Sequence, residues 1–498
     1  MKKEDDLVLY KKDCSSLIVQ CNHIITKELS SYFSAKAPNY RFHPLYKQGI
    51  WKGDLYFFQT STNELPYGLI EELKVFCRKG SYTYSTKFNS DESLSKEEFI
   101  KFIDTLNLPF EPRDYQVDSA YQAISKKIIN IKSVTSSGKS LILYLIVRYM
   151  EFMKQRILLV VPTVNLVTQM YSDFESYGWE LVADKCHMIY GGQKKLFDCP
   201  VSISTWQSLA GKVNSEIFKE FKVLMIDEAH QAKAKSLNEI AKLCTNAEWR
   251  IGCSGTYPEY HTADWFSITG SLGPIVNFTS YKNLQEEGHI SGLRIYSMRL
   301  KYPMEYRKEV YTKSLKNYQE ETDLVNGNEK RHQFLLKMVQ NLKQNTLVLF
   351  TKKEKHGYPL KELFESELKD KKLYYIDGDI EAKERENIRK MMEKENNIIL
   401  LATYGTLSTG VNITNIHHVI FASGYKSRVK ILQSIGRGLR KHKSKTHMTL
   451  YDIVDDLSFQ DKTNDIRYIN FSLKHYKERK KIYEEEAFDY KEIKFDIK

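Results

Sequence analysis

The stretch V-L-M-I-D-E-A-H, residues 223–230, ends an apolar run in two adjacent carboxylates and an imidazole. A carboxylate at a strand end can hold a divalent cation through water, and a second beside it can polarise the attacking water. Asp227 takes the first role in this reading and Glu228 the second. On their own, these residues also fit a polar turn after a strand. A second stretch narrows the choice. S-V-T-S-S-G-K-S, residues 133–140, follows the strand candidate K-I-I-N-I-K-S-V and opens a long apolar helix. Backbone N–H groups at a helix N-terminus favour an anion, and G-K-S in that place has the form of a phosphate-binding loop. Thr135, Ser136, Ser137 and Gly138 would line the phosphates. Lys139 would reach the β- and γ-phosphates, and the Ser140 hydroxyl would ligate Mg2+. The first glycine of the usual G-x-x-x-x-G-K-[ST] pattern is replaced by Ser133. A nucleotide loop followed downstream by an apolar run and D-E is a rarer coincidence than either part.

These residues need a scaffold of strands and helices. From about residue 108, short apolar runs alternate with helix-length segments. R-I-L-L-V-V-P, V-S-I-S-T, K-V-L-M-I-D and W-R-I-G-C-S-G are strand candidates, with amphipathic or apolar helices between them. The alternation recurs with T-L-V-L-F-T, K-L-Y-Y-I-D, N-I-I-L-L-A-T, H-H-V-I-F-A-S and H-M-T-L-Y-D-I-V. It predicts parallel sheets covered by helices, an α/β class with two domains in series. The expected bounds are 108–290 and 291–460, with a helical extension over 461–498. Residues 1–107 read as a small α+β domain. In it, L-P-Y-G-L-I-E-E-L-K-V-F-C-R-K-G is a helix closed by Gly80, and Ser93 or Ser95 caps the helix that follows. Lys52, Gly53 and Asp54 fit a hairpin turn.

At 498 residues the chain is too long for one core and suits two to four domains. With 42% hydrophobic and 28% charged residues it reads as soluble and globular. No apolar run approaches the roughly 18 residues of a membrane span, and the first residues lack a signal peptide's apolar region. Seven cysteines without a C-x-x-C pair argue against a disulfide framework and structural zinc, and for a reducing cytosol. The net charge of +12 is unevenly spread: no Asp or Glu occurs from Thr403 to Tyr451. Lys426, Arg428, Lys430, Arg437, Arg440, Lys441, Lys443 and Lys445 fall in that window, a footprint for a polyanion or a solvated basic face. In residues 40–58, Tyr40, Phe42, Tyr46, Trp51 and Tyr56 are interleaved with Arg41, Lys47 and Lys52. That mixture suits stacking on unpaired bases, or an ordinary aromatic core. Asp455 and Asp456 read as a structural turn, and Cys253 as a small packed residue.

The motifs, taken in order, resemble those of superfamily 2 helicases and translocases over roughly residues 108–455. R-D-Y-Q at 113–116 is similar to the adenine-reading motif, with Arg113 and Gln116 at the base. Residues 133–140 resemble motif I, and D-E-A-H resembles motif II. V-V-P-T-V-N-L-V-T-Q-M resembles motif Ia, which implies nucleic-acid contacts by Pro162, Thr163 and Gln169. I-S-T-W-Q-S-L implies the same for Thr205 and Gln207, and the basic stretch for Lys426 and Arg428. S-G-T at 254–256 resembles motif III, which couples hydrolysis to strand contacts. S-T-G-V-N-I resembles motif V through Gly410 and Asn412, where many relatives carry an acid in place of the asparagine. Q-S-I-G-R-G-L-R at 433–440 matches motif VI, and implies Gln433 at the nucleotide with Arg437 and Arg440 as arginine fingers.

A narrower resemblance, to the UvsW-type helicases of T-even phages, extends to Y-R-F-H-P-L-Y-K-Q-G-I-W-K-G-D-L near the N-terminus and L-Y-D-I-V-D-D after the last motif. It implies two tandem RecA-like domains, with ATP and Mg2+ driving DNA unwinding or translocation. It also implies action on branched DNA: fork regression, junction migration and recombination intermediates. Duplex and single-stranded DNA are the expected partners. The chain is expected to be monomeric, cytoplasmic (in a bacterial host if it is a phage protein) and free of membrane. Two other readings stay open. A D-E-A-H box does not choose a sugar, so an RNA helicase is one. A DNA-annealing or junction-binding protein whose affinity ATP gates is the other.

Overall fold

The computed structural model describes residues 5–88, 94–191, 197–209, 215–231, 235–314, 317–408, 413–461, 463 and 465–497. The chain divides into two compact units, residues 1–133 with 138–279, and residues 134–137 with 280–498.

The first unit begins with a four-stranded mixed sheet in the order Glu64–Pro66, Ser16–Cys21, Leu7–Lys11, Tyr84–Thr86. Leu7, Leu9, Leu17 and Val19 alternate with more exposed residues, so one face of the sheet is buried. Ile25 and Leu29 from helix His23–Tyr32 and Leu73 and Phe76 from helix Ile70–Gly80 cover it. Gly80 does not close that helix. It is the last helical residue, and Ser81 takes the left-handed cap at φ 56°. Ser95 caps Lys96–Asp104 in a capping box with Glu98, while Ser93 lies outside the described residues. Lys52, Gly53 and Asp54 do not form a tight hairpin either. Strands Ser34–Lys36 and Asp54–Tyr56 pair antiparallel, but a turn at Tyr40–Phe42 and a short helix at Pro44–Lys47 lie between them. Gly53 has φ +85°, and a Cβ there would lie 2.5 Å from the Tyr40 ring.

A seven-stranded sheet completes the unit, in the order Ile275–Thr279, Ile128–Ser133, Trp249–Ser254, Val223–Asp227, Ile157–Val161, Val201–Thr205, Cys186–Ile189. Every pairing is parallel. Its central strands are buried along their whole length, which explains their unbroken apolar sequences. The acids of D-E-A-H therefore appear where the chain leaves the buried strand.

The second unit holds a parallel seven-stranded sheet in the order Lys372–Ile376, Ile398–Thr403, Thr346–Phe350, His418–Phe421, His447–Asp456, Gly292–Lys301, Tyr490–Asp496. The extension expected to be helical thus ends differently. After helix Phe471–Glu485 the chain adds an edge strand to this sheet. Lys491 and Lys494 lie on that strand, charge that discourages pairing with another chain.

Asp455 and Asp456 are not a turn but the buried end of a strand. Asp455 accepts from Arg331 Nε at 2.8 Å and from the Tyr302 hydroxyl at 2.7 Å. Arg331 is fully buried and also donates to the Ala422 carbonyl. A second buried pair, Arg479 with Asp452 at 2.9 Å, reaches the Tyr425 carbonyl at 3.3 Å. Both arginines thus hold the backbone of residues 422–425, which lead into helix Arg428–Gly438. Tyr302→Phe removes one donor to a buried carboxylate and leaves Arg331 in place. It is expected to cost about 1.5–3 kcal/mol of stability, read as a lower midpoint in urea. An unchanged midpoint would mean that Arg331 alone satisfies Asp455.

Candidate nucleotide and nucleic-acid site

Strand Ile128–Ser133 delivers the chain into the loop before helix Lys139–Phe152. Ser133 is still a strand residue, paired with Thr279. An extended position needs no glycine, which accounts for the departure from the usual pattern. Gly138 does need to be glycine: it has φ +77°, and a Cβ would lie 2.4 Å from Gln116 Nε2. The Gln116 carboxamide oxygen accepts from Arg113 N at 2.9 Å, and the Arg113 guanidinium donates to the Tyr115 hydroxyl at 2.8 Å. Gln116 therefore sits between the start of helix Asp114–Lys126 and the phosphate loop.

Asp227 ends its strand nearly buried, and its Oδ1 accepts from Glu228 N at 2.9 Å. Glu228 follows at φ +50°, a left-handed conformation costly for a non-glycine residue. Its Oε2 lies 3.3 Å from His230 Nδ1 and 3.4 Å from Ser254 Oγ, and those two groups are 2.9 Å apart. Motif II and motif III are thus in contact. Burial and the charge of Glu228 push the Asp227 carboxyl up, against the pull of Lys139. Burial also works upward on Glu228, but the His230 hydrogen bond and the Lys139 charge outweigh it and hold Glu228 down. The pair is split, with Glu228 the more readily ionised.

The set suits magnesium. Among the described residues no hydrogen bond goes to Asp227 Oδ2, and the Ser140 hydroxyl stands at the start of the adjacent helix. A carboxyl oxygen and a hydroxyl fit a hard cation that takes its remaining ligands from water and phosphates. No group of three or more His, Cys, Asp or Glu forms a metal cluster among the described residues. Tyr177, which no motif marked, meets Ser140: their hydroxyls are 2.7 Å apart. It closes the helix that begins at the motif Ia loop, and that position was its only signal.

The expected nucleic-acid residues divide. Gln169 is exposed on helix Val164–Ser176, and Thr163 caps that helix. Gln207 Nε2 donates to the Pro162 carbonyl at 3.4 Å, joining two of the loops. The hydroxyl of Thr205 is turned inward: the residue is buried, and Oγ1 accepts from Ser208 N at 3.2 Å. Lys426 is exposed, whereas Arg428 is ion-paired with Glu485 and Glu486 at the end of helix Phe471–Glu485. Lys445 leaves the basic footprint altogether. It is buried and donates to the carbonyls of Thr414, Ile416 and Gly438. Part of the acid-free window is therefore structural, because backbone carbonyls and distant glutamates supply its partners. Gln433, Arg437 and Arg440 are half-buried on and just after helix Arg428–Gly438. Gly410 and Asn412 lie outside the described residues.

Near the N-terminus, Tyr40 and Tyr46 pack edge to face at 4.9 Å, and Trp51 Nε1 donates to the Asp54 carbonyl. Phe42 and Tyr56 remain 76% and 59% exposed. All seven cysteines are free thiols, and Cys253 is buried beside motif III. Among the described residues no helix is long and apolar enough to cross a membrane.

Comparison with known proteins agrees with this geometry. Residues 6–87 match the family "DNA helicase UvsW, N-terminal", residues 109–259 match "Type III restriction enzyme, res subunit", and residues 330–442 match "Helicase conserved C-terminal domain". The chain is 33% identical to the ATP-dependent DNA helicase uvsW of Enterobacteria phage T4, over 97% of this chain and 98% of that protein. The crystal structure of T4 UvsW is similar with a TM-score of 0.51 at 31% identity, covering 99% of this chain and 100% of that one. A DNA-bound Type ISP restriction-modification enzyme, LlaBIII, shares the fold at 16% identity and a TM-score of 0.57, over 78% of this chain and 32% of that one. Two tandem RecA-like sheets, the helicase motifs in order and a UvsW-type N-terminal segment come together in one chain, which belongs to the UvsW family of ATP-dependent helicases.

Proposed function

We propose that this helicase uses ATP to remodel branched DNA, regressing forks, migrating junctions and acting on recombination intermediates. The observation that carries the reading is likeness to a phage DNA helicase along nearly the whole chain, the N-terminal segment included. In this reading Lys139 and the N-terminus of its helix bind the β- and γ-phosphates. Ser140 and Asp227 hold magnesium, which when bound neutralises charge on the phosphates. Glu228 accepts a hydrogen bond from the attacking water and orients it. Arg437 and Arg440 stabilise the charge that develops on the transferred phosphoryl group. Thr163, Gln169, Gln207 and Lys426 contact the DNA backbone, with buried Pro162 shaping their loop, and the Phe42 and Tyr56 region of residues 1–107 contacts the branched substrate. The protein acts as a monomer in the cytoplasm of a bacterial host.

The test is steady-state ATP hydrolysis with magnesium, without nucleic acid and with single-stranded DNA, duplex DNA, a four-way junction or structured RNA. Strong stimulation by junction or duplex DNA is expected, and Lys139→Ala should abolish it. Stimulation by RNA alone would make the protein an RNA helicase. Junction binding that ATP modulates without stimulated turnover would make it an ATP-gated binding protein.

A further inference from the structure

Glu72 is a carboxylate that the nucleotide site does not use. It lies on helix Ile70–Gly80 of the N-terminal segment and its side chain is almost fully buried. A single oxygen, Oε1, accepts from three groups: the Tyr32 hydroxyl at 2.5 Å, the Tyr260 hydroxyl at 2.6 Å and His261 Nε2 at 2.9 Å. Tyr32 belongs to the N-terminal segment. Tyr260 and His261 do not: they follow the S-G-T of motif III and precede helix Ala263–Leu272.

The segment from Ser254 to Thr262 is tied at both ends. At its start, Ser254 Oγ is 3.4 Å from Glu228 Oε2 and 2.9 Å from His230 Nδ1, and it also lies 2.9 Å from the Thr256 carbonyl. In the middle, the Tyr257 hydroxyl donates to the Ile131 carbonyl at 3.2 Å, on the strand that leads to the phosphate loop. At its end, His261 stands at φ +61°, a left-handed backbone that a histidine rarely adopts. The Glu72 hydrogen bond and ring contacts with Tyr32 and Trp265 hold it there. Trp265 and Phe266, on the helix that follows, belong to the N-terminal core with Phe33 and Phe76. Strain of this kind persists only where surrounding contacts fix it, and here the N-terminal segment supplies two of them, Glu72 and Tyr32.

We propose that Glu72 is a positioning residue for the motif III segment, through which nucleic acid bound by the N-terminal segment adjusts the setting of Glu228. The coupling runs through hydrogen bonds at the two ends, Glu72 to His261 and Tyr260, and Ser254 and His230 to Glu228, joined by the backbone of residues 254–262. It rests on the readings of Glu228 as the water-orienting group and of residues 1–107 as a DNA contact.

Glu72→Gln keeps the shape and removes the charge. His261→Asn suits the left-handed backbone and cannot reach Glu72. In the full chain, both are expected to melt within a few degrees of the parent and to hydrolyse ATP at the parent rate without nucleic acid. Both should lose about fivefold or more in the ratio of junction-saturated to unstimulated turnover. The double variant should lose no more than the worse single one. Poorer DNA binding alone would raise the half-saturating junction concentration and spare the saturated ratio. A purely structural role would lower both rates together. Either outcome overturns the proposal, as does a ratio within about twofold of the parent in both variants. If Glu72→Gln does not fold, His261→Asn decides. A parent chain that no DNA stimulates, or a Glu228→Gln chain that turns over normally, would instead overturn the underlying readings.

Discussion

Arg437→Ala is expected to bind ATP as the parent does and to turn it over about 10³–10⁵-fold more slowly. The difference between binding and turnover is the point. Lys139 stands at the N-terminus of its helix and is suited to the phosphates of bound ATP, so Lys139→Ala should fail at binding. An arginine that meets charge appearing only in the transition state contributes to rate and not to ground-state affinity. In the proposed function Arg437 is such a residue. It sits half-buried near the end of helix Arg428–Gly438, Lys445 takes the Gly438 carbonyl, and buried Arg331 and Arg479 hold the approach to the helix. Truncating Arg437 removes the guanidinium, and none of those three supporting bonds involves it. Titration with a fluorescent nucleotide and single-turnover hydrolysis separate the two effects. Lost affinity with turnover preserved would assign Arg437 to nucleotide binding and end its reading as a finger.

The sheet frame was legible because its signals are local. Buried parallel strands have nearly continuous apolar sequences, and the loops at their ends carry S-S-G-K-S and D-E-A-H with little to disguise them. What escaped depends on partners far away in sequence. Nothing around Asp455 announces Arg331, so a buried ion pair read as a turn, and nothing around Arg428 announces its half-exposed pair with Glu485. Lys445 looked like surface charge because its partners are backbone carbonyls, which sequence does not display. The C-terminal strand was missed for a related reason. Tyr490–Asp496 is an edge strand with charged residues along it, so it lacks the apolar run that betrays a central one. Ser81 shows the limit of turn rules: a serine took the left-handed position that the adjacent glycine had seemed to claim.

Glu228→Gln should retain nucleotide and lose about 10²–10⁴ in turnover, the range for a positioned general base. The surroundings of Glu228 make this substitution informative. Its backbone is left-handed, its N–H is spent on Asp227, and its carboxylate meets His230 and Ser254. A glutamine fills the same space and keeps an oxygen for those partners, but it is a far poorer acceptor for the proton of an attacking water. Binding should survive because Lys139, Ser140 and Asp227 are unaltered. Such a chain would hold ATP without consuming it, which separates a motor from a passive remodeller. If strand displacement on a junction stops with hydrolysis, each cycle of phosphate cleavage drives movement. If displacement continues in Glu228→Gln with ATP bound, binding energy alone rearranges the DNA, and the motor reading of this site gives way to nucleotide-gated annealing.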